Sequence, residues 1–566
     1  MTGFRQNILR APQICAEQGV VDVIISPGSR SAPLTLAFAR HPQIRSRVVV
    51  DERAAAFVAL GMARQKQRPV ALICTSGTAA LNYAPAVAEA FYQKIPLLLF
   101  TADRPAELLE QDDGQTIIQR NLYEPHCNAS FELPVEDERP DVLRHLERIL
   151  SESINACQWP VPGPVHVNVP LREPLYPTDD FVYPSDCQTI HLMQTSPTLL
   201  ESQWRELVNV WHRSPKRLIV AGLNPPNPSL LEVFARLQIR YGATLLGDIA
   251  SNVLSDEVPL YDIILSSSSS SMKSELQPDL LVSFGGPVVS KNLKQWLRSF
   301  PPKHHWHVGF LQKWPDPFQS LRTVIPMQLD LFWRGLVERL PAQEKKTPFA
   351  ASWEKANQKA FAARRQFMDD ATHSELLSMQ IIMQKIPPNS TLHLGNSSVI
   401  RLASHFSDMA PSDVSVFSNR GTAGIDGTVS SAVGAAMASD QIATLIVGDL
   451  AFFYDRNGLW NSEFPLNLSI IVFNNGGGGI FRLLDGSRDQ PELDKYFTVG
   501  QQLTAENVAK DHKFKYLSCK SIIDLEIVLE NFWKKSDQPK ILEIFFDPSG
   551  NSDIFLRFKK HLKESQ

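Results

Sequence analysis

Short runs of apolar, often β-branched residues alternate with longer alanine-rich segments near the start of the chain. The runs include VVDVIIS, PVALICTS and IPLLLFTAD, and the segments between them include RAAAFVALGMARQ and GTAALNYAPAVAEAFYQ. Strands that are apolar on both faces and are separated by helices form parallel sheets, which helices cover on both sides. The alternation therefore predicts an α/β fold built on a parallel sheet.

The same alternation returns twice further along the chain. It recurs near the end in STLHLGNSS, QIATLIVGDL, LNLSIIVFNN and KILEIFFD, and in the middle in KRLIVAGL, ATLLGDIAS and DLLVSFGGPVVS. A chain of 566 residues is too long for one hydrophobic core. We therefore predict an α/β protein of three domains, with central, mostly parallel sheets flanked by helices, at residues 1–182, 196–340 and 370–566.

Segments between these units differ from them in composition. Residues 173–200 are rich in proline, aspartate, serine and threonine, which predicts an extended connector. Residues 335–372 are charged and compatible with helix. Six consecutive serines at 266–271 predict a solvated loop.

Charge and cysteine usage exclude several classes of partner. The chain has 56 basic and 60 acidic residues and no basic run, so we do not expect it to bind nucleic acid. Its six cysteines are widely spaced without a metal-binding pattern, which indicates reduced thiols and a cytoplasmic location. No apolar leader and no stretch of 18 apolar residues occurs, so we expect neither export nor a membrane span.

An acid and two asparagines follow two neighbouring predicted strands near the end of the chain. Asp449 follows QIATLIVG, and Asn474 and Asn475 end LNLSIIVFNN, one strand–helix–strand step later. Ligands of open α/β sheets bind just beyond the carboxyl ends of the strands, and carboxylate, amide and carbonyl oxygens suit Mg²⁺. The glycines that follow let the backbone approach a diphosphate closely. An alternative remains open, in which Asp449 caps a helix and the glycines form a flexible loop.

The sequence GDL followed by NN resembles the thiamine-diphosphate motif, which usually begins with G-D-G or G-D-S and ends with N-N. The resemblance implies thiamine diphosphate and Mg²⁺ (or Mn²⁺) as cofactors. It assigns the metal to Asp449, Asn475 and the carbonyl group of Gly477, with Gly448 and Leu450 beside the acid in the cofactor site. Leu450 departs from the usual third residue of the motif.

This cofactor needs a carboxyl group at its pyrimidine ring, in a sheltered site that perturbs the pKa. The stretch VVVDERAAAFVALGMA places Glu52 at the end of a predicted apolar strand, just before an alanine-rich helix. By resemblance, Glu52 is the catalytic glutamate of a pyrimidine-binding domain, whose cofactor site also includes Ser76, Gly77 and Asn82. Its alternative role is an N-terminal helix carboxylate favoured by the helix dipole. In such enzymes the two domains meet across a subunit boundary, which implies a homodimer or a dimer of dimers.

Four further stretches are more specific. They are ISPGSRSAPLTLAF (25–38), FTADRPAELLEQDDGQTI (100–117), GNSSVIR (395–401) and SNRGTAGIDGTVSSAVGAA (418–436). Together with NNGGGGIF they resemble the 2-succinyl-5-enolpyruvyl-6-hydroxy-3-cyclohexene-1-carboxylate synthase (MenD) family of menaquinone and phylloquinone biosynthesis. The resemblance implies a transferase that decarboxylates 2-oxoglutarate and adds the succinyl carbanion to isochorismate. Another thiamine-diphosphate carboligase or decarboxylase, such as an acetohydroxyacid synthase, and a non-catalytic nucleotide-binding protein remain alternatives.

Both implied substrates are dicarboxylates, and arginine binds carboxylates through paired charge-assisted hydrogen bonds. The resemblance assigns the isochorismate side to Ser29, Arg30, Arg104, Gln115 and Lys291, and the succinyl carboxylate to Ser397, Arg401 and Arg420. Of these, Arg30, Arg401 and Arg420 join Glu52 as catalytic residues. Ile425 is similar to the apolar residue that supports the bent cofactor, and Ile480 and Phe481 are expected beside the reacting centre. The four glycines at 476–479 depart from the family where a polar residue is expected before Ile480.

Overall fold

Three separate sheets organise the chain, and all of their paired strands are parallel. The structure is a computed structural model that describes residues 6–135, 137–176, 181–253, 258–341, 347–461 and 463–565. Each sheet falls within a different predicted domain range, and the three-domain α/β fold is confirmed. The boundaries of those ranges stay predictions.

The first sheet has six strands in the order β2-β1-β3-β4-β6-β5. Its strands are β1 (Asp22–Ile25), β2 (Arg45–Val48), β3 (Val70–Cys74), β4 (Leu97–Asp103), β5 (Ala129–Glu132) and β6 (Val165–Pro170). Its helices are α1 (Gln6–Glu17), α2 (Ala32–Ala39), α3 (Glu52–Lys66), α4 (Thr78–Asn82), α5 (Ala84–Gln93) and α6 (Pro140–Ala156). All seven residues of β4 are buried, as expected for a strand covered on both faces.

The second sheet has five strands in the order β11-β10-β9-β7-β8. Its strands are β7 (Arg217–Ala221), β8 (Thr244–Gly247), β9 (Leu280–Phe284), β10 (His304–Val308) and β11 (Thr323–Ile325). The helices of this part are α7 (Glu201–Arg213), α8 (Pro228–Tyr241), α9 (Tyr261–Ser267), α10 (Ser270–Glu275), α11 (Lys291–Ser299), α12 (Leu329–Arg339) and α13 (Pro348–Asp369).

The third sheet has six strands in the order β13-β12-β14-β15-β17-β16, which repeats the order of the first sheet. Its strands are β12 (Thr391–Leu394), β13 (Ser415–Phe417), β14 (Ala443–Gly448), β15 (Leu468–Asn474), β16 (Lys515–Cys519) and β17 (Lys540–Phe545). Its helices are α14 (Glu375–Lys385), α15 (Ser398–Ser404), α16 (Thr428–Met437), α17 (Asp449–Tyr454), α18 (Ala505–Asp511), α19 (Ile522–Phe532) and α20 (Pro548–Glu564).

Helices α3 and α16 join the first and third domains. They occupy equivalent places in the two sheets, each between the second and third strand of its domain in chain order. Their backbones touch at two glycines: a Cβ on Gly61 would lie 2.0 Å from the Ser431 carbonyl oxygen, and one on Gly434 would lie 1.9 Å from that of Val58. These pairs run in opposite chain directions, so the two helices are antiparallel.

Two sequence predictions were wrong in detail. The strand before Glu52 is β2, which has the polar sequence RSRV, ends at Val48 and lies at the sheet edge with partly exposed side chains. The serine run is not a loop throughout, because Ser267 ends α9 and Ser270 begins α10. The Ser267 hydroxyl donates to the Ile263 carbonyl oxygen at 2.6 Å, which satisfies a small polar side chain inside the domain.

The connector follows its prediction over the described residues. Residues 181–200 contain no helix or strand, and Tyr183 donates to the Ala37 carbonyl oxygen at 2.7 Å, so the connector packs on the first domain. All six cysteines are free. Within the described ranges, every helix is too short or too polar to cross a membrane.

Substituting Gly434 at the α3–α16 contact is expected to destabilise the protein. Alanine usually stabilises a helix by about 1 kcal/mol relative to glycine. In Gly434→Ala, however, the new methyl group would overlap the Val58 carbonyl oxygen, and overpacking costs about 1–3 kcal/mol. Thermal unfolding followed by circular dichroism should show a lower Tm than the wild type. Gly114→Ala is the control, because a Cβ there meets no atom within 4 Å; an unchanged Tm for Gly434→Ala would contradict the packing.

Candidate active site

Asp449 and Asn475 lie at the carboxyl ends of two adjacent strands. β14 ends at Gly448, which pairs with Phe473 of β15, so the residues that follow both strands meet at one edge of the third sheet. Asp449 is the first residue of α17, with Gly448 at the N-cap. The alternative in which Asp449 caps this helix is not what the structure shows, because Gly448 is the N-cap residue and Asp449 lies in the first turn.

The carboxylate of Asp449 is almost fully buried, with 2% of its surface exposed. It accepts hydrogen bonds from the Leu450 backbone N–H and the Gln501 side-chain amide, both at 2.7 Å. Burial raises the pKa of Asp449, and hydrogen bonds from Gln501, Leu450 and the backbone N–H groups of Gly477 and Gly476 oppose that rise. Among the residues that the structure describes, Asp449 forms no ion pair, and a buried carboxylate of this kind favours the binding of a positive ion.

Asn475 directs an unused oxygen into the same region. Its side-chain N–H donates to Glu375 at 2.6 Å, while its Oδ1 is buried without a hydrogen-bond partner in the described part of the chain. The pKa of Glu375 is raised to about 7, chiefly by burial and also by the charge of Asp449, while hydrogen bonds from Asn475 and Asn551 oppose the rise. The bond to Glu375 fixes which way the amide faces, so an oxygen suited to Mg²⁺ points away from it.

The glycines at 476–479 pack so closely against other residues that side chains would clash there, which their sequence alone does not reveal. Gly477 has φ +146°, and a Cβ there would lie 2.4 Å from the Thr498 carbonyl oxygen. A Cβ on Gly478 would lie 2.8 Å from the Phe497 carbonyl oxygen, and one on Gly479 would lie 2.6 Å from the Asn475 amide nitrogen. The run is therefore packed against residues 497–499. The Gly477 carbonyl accepts from the Gly479 N–H at 3.0 Å and keeps a second lone pair.

The geometry fits a divalent metal at Asp449, Asn475 and Gly477. It combines a buried carboxylate, a free amide oxygen and a carbonyl oxygen, which are hard ligands of the kind Mg²⁺ binds. Next to them, Ile480 and Phe481 lie half-buried in a short 3₁₀ helix (Gly479–Arg482). The Phe481 ring lies 5.6 Å from the Phe497 ring.

Glu52 is the first residue of α3. The preceding Asp51 caps this helix by accepting from the Ala54 N–H at 3.1 Å, and the Glu52 charge contributes to raising the pKa of buried Cys74. The helix is held against the third domain, because Arg53 donates to the Tyr454 carbonyl oxygen at 2.9 Å. The Glu52 carboxylate itself is half-buried.

Glu52 and Asp449 of one chain lie at opposite ends of the domain interface. Each begins a helix at the carboxyl edge of its own sheet, and the antiparallel packing of α3 on α16 turns these two edges in opposite directions. Arg53, the neighbour of Glu52, contacts Tyr454 at the end of α17, whereas Asp449 begins that helix. Within the described residues, one chain therefore does not bring the two predicted catalytic groups together.

Several of the predicted substrate-binding residues, including Arg104 and Gln115, lie close together in the first domain. Arg104 donates to the Ser76 hydroxyl at 3.1 Å, to the Gln115 carbonyl oxygen at 2.9 Å and to the Gly114 carbonyl oxygen at 2.6 Å. The Gly77 N–H donates to the Gln119 side chain at 2.9 Å, which fixes the turn after β3. Arg104 is thus held by the loop that carries Gln115.

Arg30 belongs to the same group. It is buried and donates to the Leu171 carbonyl oxygen at 3.1 Å and to Glu173 at 3.4 Å. Burial and the positive charge of Arg104 lower the pKa of Arg30, whereas Glu173 raises it. Two guanidinium groups near each other favour an anion between them. Ser29 and Asn82 are exposed, and no hydrogen bond within the described ranges joins either of them to Arg30 or Arg104.

The third domain collects a second group. Arg420 donates to the Asn396 side chain at 2.9 Å, and Arg401 donates to the carbonyl oxygen of Ser397, which precedes α15. Burial lowers the pKa of both arginines, and the charge of Arg420 lowers that of Arg401 further. The Nε of Arg420 is buried without a hydrogen-bond partner among the described residues. Ile425 is 39% exposed in the same loop.

Lys291 is the exposed first residue of α11 in the second domain. Lys294 of the same helix lies close enough to Arg420 and Arg401 that their charges lower its pKa, in addition to the larger effect of burial. Helix α11 of one chain therefore lies beside the predicted succinyl group, and no contact in the described ranges joins Lys291 to Arg30 or Arg104. Its assignment to isochorismate stays a prediction.

Sequence reasoning missed Glu375 and Gln501. Glu375 lies 100 residues before Asn475 and begins α14, and Gln501 lies 52 residues after Asp449, so no local motif connects either to its partner. The serine N-cap at Ser374 followed by an acid predicts only a helix start.

Two family models match the chain. Residues 12–123 match the model described as the N-terminal TPP binding domain of thiamine pyrophosphate enzymes. Residues 188–394 match the model described as the middle domain of thiamine pyrophosphate.

Several curated proteins are similar over their whole length. A 2-succinyl-5-enolpyruvyl-6-hydroxy-3-cyclohexene-1-carboxylate synthase from Cytophaga hutchinsonii is 40% identical over 99% of this chain and 99% of its own length. Proteins with the same name from Desulfotalea psychrophila and Bacteroides fragilis are 36% and 33% identical. These two alignments cover 96% and 100% of this chain, and 99% and 100% of the relatives.

Removing the Asp449 carboxylate is expected to weaken metal-dependent cofactor binding. Loss of a residue that hydrogen-bonds to a metal ligand lowers metal affinity about 10- to 100-fold. Asp449→Ala removes a proposed ligand itself and should lower the affinity at least as much. Isothermal titration with thiamine diphosphate and Mg²⁺ measures the effect. Asp440→Ala, which removes an exposed acid of the same domain, is the control; equal affinity in both variants would refute the metal assignment.

Proposed function

Because this chain belongs to the 2-succinyl-5-enolpyruvyl-6-hydroxy-3-cyclohexene-1-carboxylate synthase (MenD) family, we propose that it catalyses the reaction of that name as a thiamine-diphosphate-dependent transferase. It would decarboxylate 2-oxoglutarate and add the remaining succinyl unit to isochorismate, giving the named product and CO2 in menaquinone or phylloquinone biosynthesis. Full-length similarity to the synthases supports the reaction. The single structural observation that supports it best is the Asn475 side-chain oxygen, which has no hydrogen-bond partner among the described residues and lies at the same sheet edge as the buried Asp449.

The carboxyl edge of the third sheet, where Asp449 and Asn475 lie, would hold the diphosphate end of the cofactor. Asp449, Asn475 and the Gly477 carbonyl would bind Mg²⁺ (or Mn²⁺), and the Gln501 and Glu375 side chains would keep the first two ligands in place. Ile425, Ile480 and Phe481 would form apolar walls around the cofactor. When bound, thiamine diphosphate supplies a nucleophilic carbon and an electron sink for the loss of CO2 from a 2-oxo acid.

Glu52 would exchange a proton with the pyrimidine ring of the cofactor. Glu52 lies at the opposite end of the interface from Asp449 in its own chain. Its carboxylate would therefore contact a cofactor held by the Asp449 and Asn475 of a partner chain. Exposed apolar side chains near this helix start, Val48, Val50 and Leu81, suit such a contact. We therefore propose a homodimer or a dimer of dimers, working in the cytoplasm.

The two arginine groups would divide the substrates between them. Arg401 and Arg420, with Ser397, would bind the distal carboxylate of 2-oxoglutarate at the metal-binding domain. Arg30 and Arg104, with Ser29, Gln115 and Lys291, would bind the carboxylates of isochorismate. Burial strengthens both contacts, because charge-assisted hydrogen bonds are stronger away from water.

Product analysis tests the reaction directly. The protein is incubated with thiamine diphosphate, Mg²⁺, 2-oxoglutarate and isochorismate, and the products are identified by mass spectrometry. The proposal requires the succinylated cyclohexene product and CO2. Acetohydroxy acid formed from pyruvate instead would favour the acetohydroxyacid synthase alternative, and cofactor binding without any product would favour a non-catalytic protein.

The role of Glu52 predicts a specific kinetic effect. Glu52→Gln is nearly isosteric but holds no exchangeable carboxyl proton at the pyrimidine, so cofactor should still bind while exchange of the thiazolium C2 proton slows by about 100-fold or more. NMR of deuterium exchange at C2 in the bound cofactor measures this. Glu506→Gln is the matched control, since Glu506 is also a first-turn acid of a helix. If both variants exchange at the wild-type rate, Glu52 has only the helix-terminal role.

The division of the arginines predicts unequal effects of two alanine substitutions. Arg401→Ala should impair the consumption of 2-oxoglutarate in the absence of isochorismate, whereas Arg104→Ala should impair only the complete reaction. Loss of a charge-assisted contact costs about 1.5–3 kcal/mol, or about 10- to 100-fold in the affected step. Single-turnover release of CO2, with and without isochorismate, separates the two. Equal loss in both variants would mean that the two groups are assigned to the wrong substrates.

A further inference from the structure

Glu89 is a buried carboxylate of the first domain that binds the backbone of the third. It lies on α5 with 1% of its surface exposed. Its Oε1 accepts from the Gly421 N–H at 2.7 Å, and its Oε2 accepts from the Thr422 N–H and hydroxyl group, both at 2.6 Å. Gln93, one turn later on α5, also donates to Oε1. All four hydrogen-bond partners are donors.

The segment that Glu89 holds is the loop at residues 418–427, which carries Arg420 and Ile425. Asn396 binds this loop on its other side, donating to the Asn419 and Gly424 carbonyl oxygens, both at 2.6 Å. The Asn396 side-chain oxygen accepts from Arg420 at 2.9 Å. The loop is therefore fixed between one residue of its own domain and one of the first domain.

The loop backbone is not in a relaxed conformation. Ala423 has φ +62°, a left-handed conformation that is unfavourable for alanine and persists only when the surroundings enforce it. Gly421 approaches α5 so closely that a Cβ there would lie 2.5 Å from the Glu89 carbonyl oxygen. The contacts on both sides of Ala423 are the ones made by Glu89 and Asn396, so they hold this conformation in place.

Charge adds to the hydrogen bonds. Burial lowers the pKa of Arg420 and lowers that of Arg64 to about 10, and the negative charge of Glu89 opposes both effects. Arg64 donates to the Ser418 carbonyl oxygen at 3.2 Å and to the Asn419 side chain at 3.1 Å. The first domain thus contacts the loop immediately before and immediately after Arg420.

We infer that Glu89 is a positioning residue for the succinyl-binding loop, and this inference rests on the proposed function. Its carboxylate sets the place of Arg420 through Gly421 and Thr422 without touching substrate. The affinity for the dicarboxylate donor consequently depends on a residue of the first domain of the same chain.

The Glu89→Gln substitution tests this inference because the amide cannot replace the carboxylate. In either orientation its NH2 group faces a backbone N–H, of Gly421 or of Thr422, that needs an acceptor. The KM for 2-oxoglutarate should rise about 10-fold or more, as expected for a charge-assisted contact, while the KM for isochorismate stays near wild type.

Glu147→Gln is the matched control. Glu147 is also a buried glutamate of the first domain, but it accepts from Arg10 and Arg144, far from the loop. The Glu147→Gln variant should lose thermal stability without a change in the KM for 2-oxoglutarate. A KM profile of Glu89→Gln like that of Glu147→Gln would overturn the inference. Should Glu89→Gln fail to fold, Thr422→Val, which keeps both backbone bonds, should raise the same KM about threefold; an unchanged KM there would also overturn it.

Amide hydrogen exchange provides a readout that needs no reaction. Gly421 and Thr422 should exchange faster in Glu89→Gln than in Glu147→Gln, and unchanged protection would refute the positioning role. If the wild type forms no product, the proposed function fails. The inference is then judged by this exchange alone, so the two failures are distinguishable.

Discussion

The contact between α3 and α16 is the constraint on which the arrangement of the site depends. Two glycines, Gly61 and Gly434, bring the helix backbones to within contact of carbonyl oxygens on the opposite helix, so neither helix can rotate or slide without a clash. This contact fixes the first sheet relative to the third. It also fixes the start of α3, where Glu52 lies, and the loop before α16, where Arg420 lies. The positions of Glu52 and the Arg420 loop thus depend on an interface between domains, whereas those of Asp449 and Asn475 follow from the third sheet.

Buried carboxylates complete that interface. Glu89 binds the Arg420 loop, and Asp455, which is fully buried, accepts from the N–H and hydroxyl group of Ser430 in α16 at 2.7 and 3.0 Å. Arg53 of α3 lies 3.8 Å from Asp455. A buried charge is tolerated only when several donors satisfy it, and such networks favour one arrangement over its neighbours. The domains are consequently joined by directional bonds as well as by apolar packing.

Much of the fold and part of the site follow from local sequence patterns. Apolar strands predict buried parallel sheets because period and burial are encoded within a few residues, and the same holds for Asp449 and Asn475 at strand ends. The strand before Glu52 was misplaced because the apolar run at residues 48–50 lies at and beyond the end of the polar edge strand. The role of Glu89 could not be found from the sequence, since its partners Gly421 and Thr422 lie more than 330 residues away and only the folded domains bring them together.

The direction of the two carboxyl edges bears on how a complete site forms. Helices of a parallel sheet run against their strands, so antiparallel packing of α3 on α16 makes the strands of the first and third sheets antiparallel as well. Asp449 and Glu52 of one chain therefore begin helices at sheet edges that point in opposite directions. A two-fold axis that placed Glu52 of one chain opposite Asp449 of the other would do so twice and make two equivalent sites. The close packing that stabilises one chain thus supports the proposal that the enzyme works as a dimer.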